Sequence, residues 1–429
     1  MNCLFARGSR MVAKVRLPFA VLATLALSAG CVHDLLKFEA PDRVQSSILD
    51  GPANIPLLVN SAVGDFECAF QQYVIVTGQV SDELDNGNLA SAEAFQLDRR
   101  SVNKERTHYA LYLCGTEEGI LTPIETARYD ADQVLLRLAA ASDADVPNRT
   151  SLTATAAAYS GYSYILLGEG FCSAAVDGGP ELTAAQVFTI AEQKFTQAIT
   201  AAQTSGNASM LNLSYTGRAR ARLDMGNTAG ALADAQLVPA GFVINAKTSG
   251  AATRAFNRVF ASVNQNSSLI IGAAFRNLTY GGVADPRVPV ANANRLASDN
   301  TNPMWIQNKY LSRDAPIPLA SYQEAQLIVA EVSGGQTAVN IINALHTARG
   351  LPATFASNDP ATIMAQVIDE RKRELFLQSQ RFYDINRFNL PLDPAPGTSY
   401  GYKGGFYGDM RCFPLPDVER LNNPTLSGG

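Results

Sequence analysis

Hydrophobic residues recur with helical spacing over long stretches of the N-terminal half of the chain. Residues 59–76 show this spacing, and so do residues 123–142, in which Ala127 and Leu138 fall on one apolar stripe. Pro123 stands at the start of the second stretch, where the backbone N–H that proline lacks would have no helical partner anyway. Both stretches are therefore predicted to be amphipathic helices.

Small residues at helical spacing form successive pairs of amphipathic segments from residue 152 onward. Residues 217–236 show the pattern best, because Gly226 and Asn227 lie between two helical stretches and are residue types that end helices. The pattern predicts a mostly α fold built from degenerate tetratricopeptide-like repeats, and a plain helical hairpin is the simpler alternative.

The pattern changes after residue 240. Short runs of β-branched and aromatic residues alternate with Asn, Gly and Ser, which predicts short strands and long loops inserted into a helical protein. Helical spacing returns from residue 317, and the chain is rich in loops from residue 389. The domain spanning residues 55–429 is therefore divided into a helical repeat part, a strand and loop insertion, and a C-terminal part of helices and loops, covering 55–240, 241–310 and 311–429.

The N-terminus is predicted to be a lipoprotein signal peptide that spans residues 1–30. Basic residues precede an apolar run, residues 17–26, which is too short to cross a bilayer. The sequence LSAGC that follows resembles the bacterial lipobox, in which the cysteine, here Cys31, becomes lipidated. Val32 rather than Asp follows it, which in such lipoproteins favours the outer membrane. Residues 31–54 are predicted to be an extended leader, and an ordinary secretory signal followed by a cysteine is the alternative.

Charge excludes one class of function. Only 17% of the residues are charged, the net charge is −5 and the sequence pI is about 5.4. Because there is no block of basic residues, the chain lacks the electrostatic footprint of a nucleic-acid-binding protein.

Four cysteines follow Cys31, and an even number in an exported protein predicts disulfides. Cys68 and Cys114 both lie in the N-terminal helical part, and we favour a bond between them. A bond between Cys172 and Cys412 would tie the loop-rich tail to the repeats. The other two pairings stay open, because the sequence does not give Cα separations.

No metal ion, cofactor or catalytic residue is predicted. The three histidines are far apart in the sequence and there is no CxxC. The acidic run at 81–88 lacks the ligand spacing of an EF-hand and is predicted to be a solvated turn. The GxSxG pattern at 397–401 has no strand before it and no His after it, and the SxxK pattern at 101–104 lacks its companion motifs.

Charged residues are dense in residues 369–388. Arg371 shares an apolar helical stripe with Leu375 and is predicted to be buried, so it needs an acidic partner. Glu374 and Glu331 are the candidate partners. Two further ion pairs are predicted at i,i+3 spacing, Arg381–Asp384 and Asp384–Arg387. We interpret these charges as links between helices, and a paired-carboxylate hydrolase site is the alternative.

Four C-terminal blocks resemble the SusD/RagB-like family of nutrient-uptake lipoproteins; they cover residues 315–331, 338–352, 367–388 and 412–424. The resemblance implies a mostly α-helical fold on tetratricopeptide-like units. It also implies a protein at the cell surface that captures glycans or peptides and caps a TonB-dependent outer-membrane transporter. Many relatives have Glu-Gly where this chain has Gln378 and Ser379, a difference that bears on the local turn.

Exposed aromatic residues in loops are the candidates for ligand binding, because flat rings pack against sugars. They are Tyr280, Trp305, Tyr400, Tyr402, Phe406 and Tyr407. Packing or loop anchoring is the alternative for each, and Trp305 is expected in the core. Three functions are considered: the surface-exposed binding lipoprotein, a helical-repeat scaffold lipoprotein facing the periplasm, and a secreted hydrolase.

Overall fold

Helices dominate the computed structural model, which describes residues 51–89, 92–105, 108–115, 119–352 and 354–426. They are α1 (Ile55–Val80), α2 (Ala92–Asp98), α3 (His108–Leu111), α4 (Leu121–Ala140), α5 (Arg149–Gly170), α6 (Ala184–Ser205), α7 (Ala208–Asp224), α8 (Thr228–Ala235), α9 (Tyr322–Ser333), α10 (Gly335–Ala348), α11 (Pro360–Glu374), α12 (Arg381–Arg387) and α13 (Asp417–Asn422). The predicted mostly α class is confirmed. None of the described helices is long and apolar enough to cross a membrane. Cys31 and the predicted signal peptide lie outside the described residues.

The short strands form two-stranded antiparallel pairs. They are β1 (Leu84–Asn86), β2 (Ser173–Ala175), β3 (Glu181–Thr183), β4 (Val243–Ala246), β5 (Leu269–Ile271), β6 (Thr279–Tyr280), β7 (Val283–Ala284), β8 (Val290–Leu296), β9 (Pro303–Gln307) and β10 (Ile317–Ser321). The pairs are β1–β5, β2–β3, β4–β10, β6–β7 and β8–β9. Helical spacing from residue 317 was misleading, because β10 pairs with β4 and the Ser321 side chain caps α9 by accepting from the N–H of Glu324.

Consecutive helices of the repeat part pack against one another around aromatic side chains. The ring of Tyr162 in α5 meets the ring of Phe195 in α6 edge to face, with 5.0 Å between their centroids. Gly161 and Gly217 lie against the same Phe195 ring, and a Cβ at either glycine would overlap it. The small residues that suggest repeats in the sequence therefore make room for a buried ring between α5 and α7.

Two disulfides connect distant parts of the chain, with the favoured pairing. Cys68 in α1 bonds to Cys114, and Cys172 bonds to Cys412, which lies 240 residues further on. Beside the second bond, the Cys172 N–H donates to the carbonyl of Phe413, at 2.9 Å, and the Phe413 ring is fully buried. The C-terminal tail is therefore held by a disulfide, a backbone hydrogen bond and an apolar anchor.

Arg371 is buried, as predicted, but both candidate partners are wrong. Its Nε donates to the carboxylate oxygens of Asp384 at 2.9 and 3.1 Å, and its Nη2 donates to Gln380. The prediction ran one helical stripe through residues 364–385. Glu374 does lie on the same helix as Arg371, but that helix, α11, ends there, and α12 folds back so that Asp384 rather than Glu374 binds Arg371.

Left-handed backbone residues make this reversal. Leu377 has φ 54° and Ser379 has φ 76°, a backbone conformation that glycine adopts most readily. The acids that were expected beside Arg371 bind other arginines instead: Glu374 pairs with Arg349 and Arg287, and Glu331 pairs with Arg387.

The two predicted i,i+3 pairs have different outcomes. Asp384 binds Arg387 at 3.0 Å, as predicted. Arg381 does not bind Asp384; its guanidinium makes two hydrogen bonds, of 2.6 and 2.7 Å, to the carboxylate of Asp82. The reason is the start of α12 at Arg381, where the side chain reaches back to the loop after α1. The interpretation that these charges link helices agrees with the Arg387–Glu331 pair between α12 and α9.

Candidate ligand-binding site

A polar cavity of about 280 Å³ lies where the loop after α1, the residues after β5 and the C-terminal loop meet. Carboxylates, cations and aromatic rings line it together, among them Asp82, Asp85, Asn86, Asp98, Arg276, Asp393, Tyr400, Lys403 and Tyr407. Such a mixture of hydrogen-bonding groups and ring surfaces is typical of ligand sites.

Strand pairing places the first lining residues. Asp85 of β1 pairs with Ile270 of β5, and Arg276, just beyond β5, then donates to the Asp85 carboxylate at 2.9 Å. Asn86 follows Asp85 and is only 2% exposed. An acidic run that looks solvated in the sequence thus becomes one wall of a cavity, and its prediction as a solvated turn is wrong.

Asp98 joins β1 to the C-terminal loop. Its Oδ2 accepts from the backbone N–H of Asn86 at 2.9 Å and from the hydroxyl of Tyr400 at 2.6 Å. Because Asp98 ends α2 and Tyr400 lies 302 residues away, the carboxylate holds three separate segments around the cavity.

Burial and neighbouring charges shift the pKa values of the carboxyl groups of Asp85 and Asp98. Desolvation raises the pKa of Asp85, the neighbouring Asp98 charge raises it further, and Arg276 opposes both. Desolvation also raises the pKa of Asp98, although the hydrogen bonds from Tyr400 and Asn86 lower it. Among the residues that the structure describes, no group of His, Cys, Asp or Glu side chains could hold a metal ion.

Two of the aromatic candidates line the cavity. The rings of Tyr400 and Tyr407 meet edge to face with 5.2 Å between centroids. Trp305 lies beside it: its ring is 5.5 Å from the Arg276 guanidinium, and it shares a face of β9 with the lining residue Pro303. Trp305 is half-buried and packs against the main core, so the expected core position is only partly correct.

The other three aromatic candidates, Tyr280, Tyr402 and Phe406, are not among the described residues that line this cavity. Tyr280 packs against His346, with 4.0 Å between ring centroids. Phe406 is 66% exposed and does not line the cavity. Tyr402 lies in the one-turn helix Gly401–Lys403, and its side chain is outside the described part of the structure.

Several lining residues escaped prediction from the sequence, namely Asp85, Asn86, Asp98, Arg276, Lys403 and Asp393. They lie in segments that are far apart in the sequence. One signal was present, because Leu84 interrupts the acidic run at 81–88 and is fully buried in the structure.

Comparison with known proteins agrees with the resemblance of the C-terminal blocks. Residues 321–412 match the sequence model of the SusD family. The chain has the SusD fold. The resemblance to the SusD/RagB-like family is confirmed over the matched segment, which includes α9 to α12 and the second disulfide's Cys412. No curated protein sequence matches the chain.

Solved structures with the SusD fold cover nearly the whole described chain. Surface glycan-binding protein A from Bacteroides thetaiotaomicron, in complex with laminarihexaose, is 13% identical with a TM-score of 0.67, covering 87% of this chain and 98% of that one. A SusD superfamily protein from Bacteroides vulgatus is 15% identical with a TM-score of 0.64, covering 87% and 97%. One from Bacteroides fragilis is 14% identical with a TM-score of 0.65, covering 88% and 99%.

Proposed function

We propose that the protein is a cell-surface lipoprotein that captures a glycan in the polar cavity and delivers it to a TonB-dependent outer-membrane transporter, which the protein caps. The observation that carries the proposal is the cavity itself, in which Tyr400 and Tyr407 stand among hydrogen-bonding side chains with Trp305 beside them. The SusD fold supports it, because a protein of that fold is known in complex with laminarihexaose.

The chemistry of the cavity favours a glycan over a peptide, the other ligand that the family resemblance implies. Sugars present hydroxyl groups that donate and accept, and the lining offers both carboxylates and N–H donors. A cavity of about 280 Å³ is smaller than most ligand pockets, so it would hold one end of a glycan, with the remainder extending past Trp305.

A hydrolase is the second candidate, and the raised pKa of Asp85, caused by its desolvation beside Asp98, favours it. Both carboxylates already have structural partners within the protein, however. Arg276 binds Asp85, and Asp98 accepts from Tyr400 and Asn86. We therefore favour binding without hydrolysis. Incubating the pure protein with each glycan that binds, and assaying for new reducing ends, separates the two functions.

A panel of oligosaccharides tests the binding function. Trp305→Ala and Tyr407→Ala each remove a ring at the cavity and are expected to weaken binding by about tenfold or more, since aromatic contacts contribute about 1 kcal/mol beyond the buried area. Phe406→Ala is the matched control, because Phe406 is exposed and does not line the cavity. Failure of every glycan to bind the wild-type protein would contradict the proposal.

Anchoring and the transporter partner need experiments in cells. We expect Cys31→Ala to remain unprocessed or to be released from the membrane, since several acyl chains are needed for stable anchoring. Purification of the wild-type protein from outer membranes is expected to recover a TonB-dependent transporter with it. Unchanged processing and retention of Cys31→Ala would contradict the anchor. Recovery of periplasmic assembly factors instead of a transporter would favour the scaffold function.

A further inference from the structure

The cavity contains more negative charge than its cations neutralise. Four of the lining residues are aspartates and two are cations. Two of the aspartates are already paired, as Asp82–Arg381 and Asp85–Arg276. The remaining carboxylates belong to Asp98, which is buried, and Asp393, which is exposed at the cavity.

These two carboxylates have no salt bridge to a cation within the described part of the chain. Lys403 is the other cation in the lining; its ammonium forms a salt bridge with Asp299, at 3.3 Å, and donates to the backbone carbonyl of Asn86. Asp98 accepts hydrogen bonds from the Tyr400 hydroxyl and the Asn86 N–H, and the nearby charges of Lys403 and Arg100 lower its pKa. The cavity can therefore accept a positive group without displacing an existing ion pair.

A buried amide at the same wall points independently to a ligand. Asn86 lines the cavity and is 2% exposed, and its Oδ1 accepts from the N–H of Asn88. Its Nδ2, in contrast, has no hydrogen-bond partner among the described residues. A buried donor without a partner has lost its hydrogen bond to water without gaining another, so an acceptor oxygen supplied by a ligand would stabilise it.

We propose that the cavity recognises an amino-sugar residue with a free amine, whose ammonium lies among the carboxylates of Asp98 and Asp393 and whose oxygen accepts from Nδ2 of Asn86. This inference rests on the proposed function and names its substrate class. A metal ion is a poorer occupant, because no described group of acids could hold one. A lysine side chain offers the ammonium but has no oxygen beside it for Asn86.

Isothermal titration calorimetry with three β-1,4-linked tetrasaccharides tests the inference. They are the tetramer of glucosamine, which is the deacetylated sugar, its N-acetylated counterpart, and the tetramer of glucose. The deacetylated sugar is expected to bind about tenfold more tightly than the others, because hydrogen bonds to charged groups are about twice as strong as neutral ones. Added salt should weaken binding of this sugar alone.

Asp393→Asn is the diagnostic variant, since its exposed side chain can change without disturbing a buried network. It should reduce the affinity for the deacetylated sugar by about fivefold and the affinity for the acetylated sugar by clearly less, because only the former carries an ammonium. Asp409→Asn is the control: it removes the same charge from an exposed residue that does not line the cavity.

The outcomes separate this inference from the proposed function. Equal or weaker binding of the deacetylated sugar, while neutral glycans bind, overturns the amine inference and leaves glycan capture standing. Tighter binding of a lysine-terminated peptide than of any of the sugars overturns the amino-sugar assignment. Failure of all glycans in a broad panel to bind overturns both.

Discussion

The hydroxyl of Tyr400 donates a 2.6 Å hydrogen bond to the buried carboxylate of Asp98, which lies 302 residues earlier in the chain. The same carboxylate oxygen accepts from Asn86, so this contact fastens the C-terminal loop to β1. The shape of the candidate site therefore depends on one carboxylate that the fold surrounds with donors.

Tyr400→Phe removes that donor and is expected to lower the free energy of unfolding by about 1–3 kcal/mol, because a buried carboxylate loses a partner. Urea denaturation measures the change. Tyr407→Phe is the matched control, since the Tyr407 hydroxyl makes no such contact with Asp98, and it should change stability by less than about 0.5 kcal/mol. Equal losses for both variants would show that the Tyr400 hydrogen bond has no special role.

Arg371→Ala leaves the buried Asp384 with one arginine instead of two. Burial alone would raise the pKa of Asp384, but Arg371 and Arg387 lower it below its usual value. We expect a loss of about 3 kcal/mol in chemical denaturation. Arg420→Ala, which breaks a half-exposed pair with Glu181, should cost less than about 1 kcal/mol. A loss for Arg371→Ala no greater than for Arg420→Ala would contradict the buried pair.

The two disulfides are expected to contribute different amounts to the free energy of unfolding. In the chain-entropy account, the bond at Cys172 closes a loop of 240 residues and the bond at Cys68 closes one of 46, a difference of about 1.5 kcal/mol. The double variant Cys172→Ser/Cys412→Ser should therefore lose more stability than Cys68→Ser/Cys114→Ser. The reverse order would contradict this account, and non-reducing peptide mapping checks the pairing itself.

Glu83 should make stability depend on pH. Desolvation raises its pKa to about 7, against the lowering effect of the Leu377 N–H that it accepts. Between pH 4.5 and 7 the folded state retains a proton that the unfolded state releases, so this group's contribution falls as pH rises through that window and stays low above pH 7.

Glu83→Gln keeps an acceptor for Leu377 but cannot ionise. The free energy of unfolding of this variant should equal that of the wild type near pH 4.5 and exceed it at pH 8 by up to about 3 kcal/mol. The pKa of Glu83 also responds to the charges of Asp82, Arg381 and Lys309, and these residues are unchanged in the variant. Exposed Glu105→Gln is the control. A constant stability difference across pH would contradict the assignment to Glu83.

Local patterns in the sequence were sufficient for much of the fold. Helix α4 follows from its apolar stripe, and the repeats follow from small residues that admit the Phe195 ring. The partner of Arg371 did not follow, because it depends on a chain reversal through the left-handed Ser379, where serine gives a weaker turn signal than glycine. Sequence spacing predicts neighbours within an element better than neighbours across a reversal.

The candidate site was less accessible to sequence analysis. Tyr400 and Tyr407 could be proposed because aromatic residues in a loop stand out. Asp85 could not, because an acid in a polar run looks solvated until β1 pairs with β5, and Arg276, its partner, lies 191 residues away. A site assembled by contacts over such distances is defined by the tertiary fold.

The most direct test of the account is a crystal structure of the protein with a glycan that it binds in solution. We expect sugar density in the cavity between Asn86 and Tyr407, with the glycan extending past the ring of Trp305. Sugar bound elsewhere, for instance against Tyr280, with the cavity holding only water, would contradict the central claim that this cavity is the capture site.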